Sequence, residues 1–333
     1  MILTPERAFY TWIALLACAI AVGLVARAFR HLQSRSTGFP RICWAALKWG
    51  CTFGTLLMGL SCLYIFWFTY RPQPAPETRT IVAGITYTRE IRQQPRPLVI
   101  HVTRIDLSTP GLEFLVTPPE PLQGHALRAQ KTSTFVRRYG LNVAISGGFF
   151  TPWYNHPIWG YPKEGDPVTV AGISASRGEQ YTPRWTDATL FIAADNTIAW
   201  AKNTGPVYNA ISGGDMILRD GAIRPKLGDQ LNPQAAIGAD AAGRMLFFIV
   251  IDGRQPNYSE GVSVSELAII LKGMGIHNAI NLDSGGSATI AAAADDGSPR
   301  VLNSPTGTFI PGDERPVANH LGARVRIASP HNR

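Results

Sequence analysis

Two aspartates that each end an apolar run are the residues best placed to do chemistry in this 333-residue chain. Asp252 follows residues 245–251, and Asp283 follows residues 279–282. Carboxylates at the ends of neighbouring strands can share a substrate, or can hold Ca²⁺ or Mg²⁺ through their oxygen atoms. The sequence therefore predicts a site built on Asp252 and Asp283, with the metal left as an alternative to direct catalysis.

The residues around this pair predict how it is positioned. Both runs are continuous and apolar, which favours buried parallel strands. Between them, Ser263 and Glu266 fit a helix capping box, apolar residues follow at helical spacing, and Gly275 stops the helix. The pattern predicts a βαβ crossover. Ligands of such sheets bind beyond the carboxyl ends of the strands, and adjacent strands lie about 4.8 Å apart.

Polar and glycine neighbours strengthen the prediction of a site. Arg254 stands two residues after Asp252, and Gly285-Gly286-Ser287 follow Asp283 after one serine. Exposed backbone N–H groups in a glycine turn suit an anionic oxygen. An isolated Asp-Gly pair is usually a turn, but two strand ends, an arginine and a glycine turn together favour function.

The block from residue 251 to residue 290 resembles the phosphodiester glycosidase family. Its two halves read IDGRQPNYSEGVSVSELAIIL and GIHNAINLDSGGSATI. Shorter matches in the family's order lie at residues 143–150, 210–214, 236–238, 301–305 and 314–322. The resemblance spans roughly residues 81–327 and implies hydrolysis of a sugar-1-phosphodiester on an envelope glycan or glycolipid. Some bacterial members are linked to exopolysaccharide.

The resemblance implies a role for each matching residue. Asp283 would be the main catalytic carboxylate, with Asp252 as its partner or as an anchor for a sugar hydroxyl, because glycosidic cleavage commonly uses two carboxyl groups. Arg254 and Arg315 would clamp the phosphate, since guanidinium groups match phosphate geometry. The remaining predicted substrate-binding residues are Gly147, Gly148, Asn281, Gly285, Gly286, Ser287, Asn303 and His320. His320 fits a structural role equally well.

The chain departs from the family's pattern at three places. Ser146 stands where the family usually has Asn, Ser284 where it has Gly, and Gln234-Ala235 where it has Arg-Thr. These departures favour a second hypothesis, a non-catalytic module that binds glycans or assists exopolysaccharide assembly.

The hypothesis that the chain is a serine protease has weaker support. The string Asp-Ser-Gly-Gly at residues 283–286 resembles the nucleophile loop of trypsin-like proteases, which also need a base histidine and an orienting aspartate. His101, His125 and His156 all lack the sequence context of that histidine. Ser284 is therefore interpreted as a turn residue.

The first 70 residues predict a two-helix transmembrane hairpin. Residues 9–26 and 49–70 are apolar and uncharged, and each is near the roughly 17–25 residues that span a bilayer. The connecting loop is more basic than the leading tail, which places the loop in the cytoplasm. We expect an inner-membrane anchor, a Pro-rich linker at 71–80, and an extracytoplasmic domain at 81–333.

Charge and cysteine content limit the kinds of partner and of metal site that the chain can have. The net charge is +8, but residues 1–70 carry six basic and one acidic residue, and the remainder carries 25 basic and 22 acidic residues. Most of the excess positive charge therefore lies in residues 1–70, where it sets membrane topology. This distribution argues against nucleic-acid binding. All four cysteines fall within residues 18–62. The rest of the chain can form neither a disulfide nor a cysteine-ligated zinc site.

The remaining pattern predicts an α+β fold with a mixed β-sheet core that contains the crossover and is flanked by helices. Strands are expected at 98–105 and 112–116, and a helix at 126–139. Residues 151–162 form an aromatic loop. That loop is a candidate platform for saccharides or, equally, a loop packed on its own aromatic rings.

Overall fold

The computed structural model describes residues 5–33, 41–152, 162–182, 186–202, 205–307 and 310–326. Contacts divide the chain into two compact units. The first comprises residues 1–72 with 255–258, and the second comprises residues 73–254 with 259–333.

The first unit contains two long helices, α1 (Pro5–Gln33) and α2 (Arg41–Tyr70). In α2, residues Lys48–Tyr70 are long and apolar enough to cross a membrane, with a mean hydropathy of 1.7. The apolar part of α1, Ile13–Arg27, is shorter. Among the described residues one helix thus meets the length and hydropathy expected of a span, where the sequence predicted two.

The second unit consists mainly of short strands, with α3 (Thr132–Tyr139), α4 (Val264–Gly273) and a 3₁₀ turn at Gly285–Ser287. The first ten strands are β1 (Glu77–Val82), β2 (Ile85–Arg92), β3 (Leu98–Asp106), β4 (Leu112–Val116), β5 (Leu127–Arg128), β6 (Val143–Ser146), β7 (Phe150–Thr151), β8 (Pro167–Val170), β9 (Ser174–Ser176) and β10 (Glu179–Thr182). The others are β11 (Thr189–Ile192), β12 (Ile198–Trp200), β13 (Asn209–Ser212), β14 (Met216–Arg219), β15 (Ala222–Ile223), β16 (Gln234–Ala239), β17 (Met245–Ile251), β18 (Asn278–Asn281), β19 (Ile290–Ala293), β20 (Pro299–Val301) and β21 (His320–Val325).

These strands form four sheets. The largest has eight strands in the order β1-β2-β3-β17-β16-β18-β14-β15. Two five-stranded sheets have the orders β10-β9-β13-β11-β12 and β20-β19-β6-β21-β4, and β5-β8-β7 form a fourth. The predicted α+β class is confirmed at this level, because α3 and α4 pack on a fold made mostly of strands.

The main core lies between the eight-stranded sheet and the five-stranded sheets. Alternate residues of β17, such as Phe248 and Val250, pack there with Ile145 of β6 and Ile211 of β13. The intervening residues of β17 face the other way and pack under Leu267 of α4. Both faces of β17 are therefore buried, which explains its continuous apolar sequence.

The prediction of adjacent parallel strands is wrong. β17 and β18 do run in the same direction, but each pairs antiparallel with β16, which lies between them. All pairs of neighbouring strands described in the large sheet are antiparallel, so it is not the mixed sheet that was predicted. The apolar run at 245–251 reflects cover by α4 rather than parallel pairing.

Both sequence-predicted helices of this unit form, with one boundary changed. α4 begins at the predicted capping box, in which Ser263 accepts from the Glu266 N–H and the Glu266 carboxylate accepts from the Ser263 N–H. α3 starts at Thr132 rather than at residue 126, because Leu127 and Arg128 pair with β8 instead. The carboxylate of Glu314 accepts from the Ser133 N–H at 2.9 Å and so caps the first turn of α3.

Candidate active site

A cavity of about 410 Å³ opens where the ends of several strands meet. It is lined by Phe149, Phe150, Arg254, Asp283, Ser284, Gly285, Gly286 and Arg315. Five of these residues were predicted as catalytic or substrate-binding from the sequence. The cavity therefore brings together Asp283, both candidate phosphate clamps and the glycine turn.

Asp283 follows β18 and is held from two sides. Its N–H donates to the carbonyl of Gly147, at the end of β6, at 3.0 Å. Its Oδ1 accepts from the N–H of Ser284 at 2.9 Å. Burial raises the pKa of the Asp283 carboxyl to about 6, although the hydroxyl of Ser287, the N–H of Ser284 and the guanidinium groups of Arg315 and Arg254 act in the opposite direction. Asp283 thus keeps its charge at neutral pH and can take up a proton slightly below it.

The two arginines lie over the glycine turn. A Cβ on Gly285 would lie 3.0 Å from Nη2 of Arg254, and a Cβ on Gly286 would lie 2.5 Å from Nη2 of Arg315. Glycine at both positions gives the guanidinium groups room beside the backbone. Gly285 also has a φ of +68°, a conformation that side chains rarely adopt.

The arginines differ in exposure. Arg254 is exposed, and its Nη2 donates to Oδ1 of Asn232 at 2.7 Å. Arg315 is buried, and its Nη2 donates to the carbonyl of Gly307 at 3.3 Å. One cation is therefore fixed in the wall of the cavity, and the other lies at its mouth.

Three of the glycine N–H groups expected at the site are already hydrogen-bonded within the protein. Gly285 donates to the carbonyl of Pro233 at 2.9 Å, Gly147 to the carbonyl of Asn319 at 2.8 Å, and Gly148 to Oδ1 of Asn319 at 3.1 Å. These donors are used inside the protein because the strand ends approach each other closely. The N–H groups of Gly147 and Gly148 are thus both bonded to Asn319, and neither residue lines the cavity.

Asp252 lies outside the lining of the cavity, and its exposed fraction is 1% against 9% for Asp283. Its Oδ1 accepts from Nδ2 of Asn303 and from the N–H of Ser304, both at 3.0 Å. Its Oδ2 lies 3.0 Å from Nε2 of His101. β16 lies between β17 and β18 and so separates the two strands by roughly 10 Å, and the sharing of one substrate by the two carboxylates stays a prediction.

The Asp252 network continues through His101 to the core. The other ring nitrogen of His101, Nδ1, lies 2.8 Å from the hydroxyl of Tyr87. Burial raises the pKa of Tyr87 to about 12, so the phenol stays protonated. These hydrogen bonds link Tyr87, His101, Asp252 and Asn303, and so they connect β2 and β3 with the loops after β17 and β20. The four side chains therefore form a positioning network behind the cavity.

The other predicted polar residues hold loops together. The Asn281 carbonyl oxygen accepts from the N–H of Gly214 at 3.0 Å, and the side chain of Asn281 accepts from the N–H of Asp215. His320 is fully buried, stacks on Phe135 and contacts Thr117, and burial lowers its pKa to about 3. Neither Asn281 nor His320 lines the cavity, and His320 takes the structural role left open from the sequence.

In the described part of the chain no histidine is hydrogen-bonded to Ser284, as the protease hypothesis would require. Both ring nitrogens of His101 are engaged with Asp252 and Tyr87, and Nδ1 of His125 lies 3.0 Å from Thr169. His156 lies outside the described residues. Ser284 is therefore a turn residue whose N–H serves Asp283.

The predicted cation is also poorly matched by the geometry. Both Asp252 oxygens are already hydrogen-bonded to protein groups. No cluster of three or more His, Cys, Asp or Glu side chains that could hold a metal occurs in the described part of the chain.

Phe149 was not identified as a site residue from its own side chain. It lines the cavity with 42% of its surface exposed, and its Cε2 would lie 2.7 Å from a Cβ on Gly214. A signal was present in the repeated pentapeptide AISGG, at residues 144–148 and 210–214, which the structure brings together. Most of the aromatic loop, residues 153–161, lies outside the described residues.

Of the three departures from the family's pattern, one lies in the cavity. Ser284 is part of its lining. Ser146 is buried, and its hydroxyl accepts from the N–H of Thr289 at 3.0 Å. Gln234 is buried at the start of β16, where its amide donates to the carbonyl of Val262 at 3.4 Å.

Comparison with known proteins identifies the family of this domain. The sequence profile of the phosphodiester glycosidase family matches residues 139–324, which include Asp283, Arg254 and Arg315. The chain belongs to the phosphodiester glycosidase family. A search of curated proteins found no match.

Two solved structures share the fold of this phosphodiester glycosidase domain. One is the catalytic domain of zebrafish N-acetylglucosamine-1-phosphodiester α-N-acetylglucosaminidase, auto-inhibited by its pro-peptide, with 21% identity and a TM-score of 0.55. The match covers 78% of this chain and 86% of that one. The other is a hypothetical protein from Synechocystis, with 16% identity, a TM-score of 0.51, and coverage of 76% and 64%.

Proposed function

We propose that this chain is a membrane-anchored hydrolase that cleaves a sugar-1-phosphodiester outside the cytoplasm, on an envelope glycan or glycolipid. The observation that carries the proposal is the cavity in which a buried carboxylate, Asp283, lies near two guanidinium groups. A glycosyl phosphodiester presents an electrophilic carbon beside an anionic phosphate, and this cavity offers a partner for each.

Asp283 acts as the base in this proposal. With a pKa of about 6 the carboxylate is mostly ionised at neutral pH and can accept a proton from water. The water oxygen forms a bond to the anomeric carbon, the bond from that carbon to the phosphate oxygen breaks, and a phosphate monoester leaves with the bonding electrons. The products are a free sugar and a phosphate monoester.

A second carboxylate is not required by this chemistry. A phosphate ester is a weakly basic leaving group, so it departs without the proton that an alcohol would need. Arg315 and Arg254 stabilise the negative charge on the leaving oxygen atoms, and guanidinium groups suit phosphate in this role. Asp252 then has a positioning role, because it orders the loop that carries Ser304.

Phe149 is the proposed platform for the sugar. Its ring is the most exposed large apolar group in the cavity lining. Pyranose rings stack on exposed aromatic faces, which bury apolar area while leaving the hydroxyl groups free to bind elsewhere. The sugar would lie against Phe149 and its phosphate against the arginines.

The anchor completes the proposal. Lys48–Tyr70 of α2 is one span by length and hydropathy, and α1 supplies the second span of the hairpin that the sequence predicts. An anchored domain outside the cytoplasm faces the glycans and glycolipids of the envelope.

The full chain, purified in a neutral detergent, tests the proposal on a panel of sugar-1-phosphodiesters. We expect equal amounts of reducing sugar and phosphate monoester, with or without a chelator. Arg254→Gln should raise KM for the phosphodiester, and the exposed Arg300→Gln serves as the charge-matched control. Binding of the panel without any cleavage would contradict hydrolysis and support the non-catalytic glycan-binding module.

A further inference from the structure

A second cavity of about 540 Å³ lies away from the proposed active site. Its lining includes Glu113, Tyr139 and Tyr208 together with Arg138, Arg177, Arg324 and Arg326. The two cavities share no lining residue. They lie at opposite ends of the same strands: Asn319 bonds Gly148 beside the first, and Arg324 lines the second, a separation of roughly 17 Å along β21.

Charge is concentrated in this second cavity. Its lining carries four arginines and one glutamate, a formal +3. The whole chain beyond residue 70 carries 25 basic and 22 acidic residues, which is also +3. The second cavity is thus a local cationic site on a domain that is otherwise close to balanced.

The arginines are only partly neutralised by the protein. Glu113 pairs with Arg324 at 2.8 Å and with Arg326 at 2.8 Å, so one carboxylate serves two cations. Arg138 pairs with Glu120 at 3.0 Å. For Arg177, no ion pair is formed with any residue in the described part of the chain. Arg177 is an exposed residue of the lining.

The backbone holds Arg177 in an uncommon conformation. Arg177 and Gly178 have φ values of 52° and 90° and connect β9 to β10, where Ser176 pairs with Glu179. Such two-residue turns favour Asn, Asp or Gly at the first position. The Arg177 N–H donates to Oδ1 of the buried Asn209 at 3.2 Å, which fixes the turn against β13. Arginine at this position therefore costs more conformational free energy than a turn-forming residue would.

Aromatic faces accompany the cations. Tyr208 is exposed, and Tyr139 lies beneath the guanidinium group of Arg138 at 5.5 Å from its carbon to the ring centroid. Arginines that bind carboxylate or phosphate, placed beside tyrosine faces that stack on pyranose rings, form the donor set for an acidic sugar chain.

We propose that this second cavity binds an anionic polysaccharide through its charged sugars, at a site separate from the catalytic cavity. Bound there, a polymer is retained by the protein while the catalytic cavity is occupied by another segment or another molecule. The binding step does not depend on hydrolysis, and so it is measured without turnover.

Fluorescence anisotropy of a labelled, short oligogalacturonate on the full chain in neutral detergent tests the proposal. We expect binding, at least ten-fold weaker binding to the Arg177→Gln, Arg138→Gln double variant, and little change for Arg300→Gln. The methyl-esterified oligomer, which has the same backbone without charges, should not compete. Displacement by inorganic phosphate at constant ionic strength would assign phosphate-bearing sugars, and its absence would assign carboxylated ones.

Three results would overturn the proposal. Equal loss of binding in Arg300→Gln and in the double variant would show general charge attraction, and equal binding in all three proteins would place the oligomer elsewhere. Loss of binding in Arg254→Gln would place it in the catalytic cavity. Thermal unfolding checks that each variant is folded, and hydrolysis of a small phosphodiester by the double variant should match the wild type if the proposed function holds.

Discussion

At the scale of single residues, the proposed chemistry depends on the environment of Asp283. Its carboxyl is buried, which raises the pKa to about 6 from an ordinary 3.8, while two nearby guanidinium groups and a backbone N–H favour the ionised form. Both carboxylate oxygens of Asp252 are instead hydrogen-bonded to protein groups. The roles that we propose for the two aspartates differ because their surroundings differ.

The raised pKa predicts a stability effect with a definite sign. The folded protein holds a proton on Asp283 up to about pH 6 and the unfolded chain only to about 3.8, so folding is disfavoured progressively as pH rises between these values. Asp283→Asn removes the charge, so its unfolding free energy relative to wild type should rise by up to about 3 kcal/mol across that window.

Thermal unfolding of the full chain at pH 4 and pH 7 measures this effect. The Tm of Asp283→Asn relative to wild type should be higher at pH 7. Asp296→Asn is the control, because Asp296 is exposed and bonds to Ser298 lower its pKa. A Tm difference for Asp283→Asn that is the same at both pH values would contradict a buried, protonatable carboxyl.

Ser284→Gly is predicted to preserve or raise hydrolysis. The variant restores the residue usual in the family and retains the N–H that donates to Oδ1 of Asp283 at 2.9 Å. Steady-state kinetics should show an unchanged or higher kcat. If turnover were abolished in a folded variant, Ser284 would have to be a nucleophile.

Several site residues could be predicted from the sequence and others could not. Asp283 and Arg254 stand in the long block at 251–290 and Arg315 in a shorter match, and all three line the cavity. Asp252 stands in an equally good motif, but its role depends on Asn303 and Ser304, about 50 residues away, which local pattern cannot reveal. Phe149 looks like any core aromatic until its exposure is known.

At the scale of elements, the glycine pairs leave space for neighbouring groups because they have no side chains. A Cβ on Gly213 would collide with the carbonyl oxygen of Asn281, and one on Gly148 would collide with the carbonyl oxygen of Ser212. A Cβ on Gly286 would collide with Arg315 and with the carbonyl oxygen of Thr306. The ends of β6, β13 and β18 can therefore come together without side chains between them. The cavity exists because these strand ends converge.

Gly286→Ala should damage this arrangement. The new Cβ would lie 2.5 Å from Nη2 of Arg315 and from the carbonyl oxygen of Thr306, and displacing a buried arginine and backbone costs about 1–3 kcal/mol. We expect a lower Tm and a lower kcat/KM. Gly273→Ala is the matched control, because its Cβ would meet nothing within 4 Å. Equal effects of the two substitutions would contradict the requirement for a residue without a Cβ at Gly286.

The error in sheet topology also belongs to this scale. A continuous apolar run indicates that a strand is buried on both faces, but it does not indicate which strand lies beside it. Cover by α4 made β17 resemble a parallel strand, and β16 between β17 and β18 carries no signal that fixes its partners. Capping and helical spacing, which are local, predicted α4 correctly.

At the scale of the whole molecule, composition separated the N-terminal helices from the strand-rich unit. The basic residues between the apolar runs predict that the segment after Tyr70 lies outside the cytoplasm. Reporter fusions after Arg71 test this topology. A periplasmic reporter should be active there and a cytoplasmic reporter inactive, and a fusion at residue 35 should give the reverse pattern. Activity of the cytoplasmic reporter after Arg71 would contradict the proposed location.

The most direct test of the account is the turnover of a sugar-1-phosphodiester by Asp283→Asn beside wild type, with substrate binding measured in parallel. Asn is nearly isosteric, so binding should survive. Loss of a general base should lower kcat by about 10²- to 10⁴-fold. Near-native turnover by Asp283→Asn, or sugar binding by wild type with no cleavage of any phosphodiester, would contradict catalysis by this carboxylate.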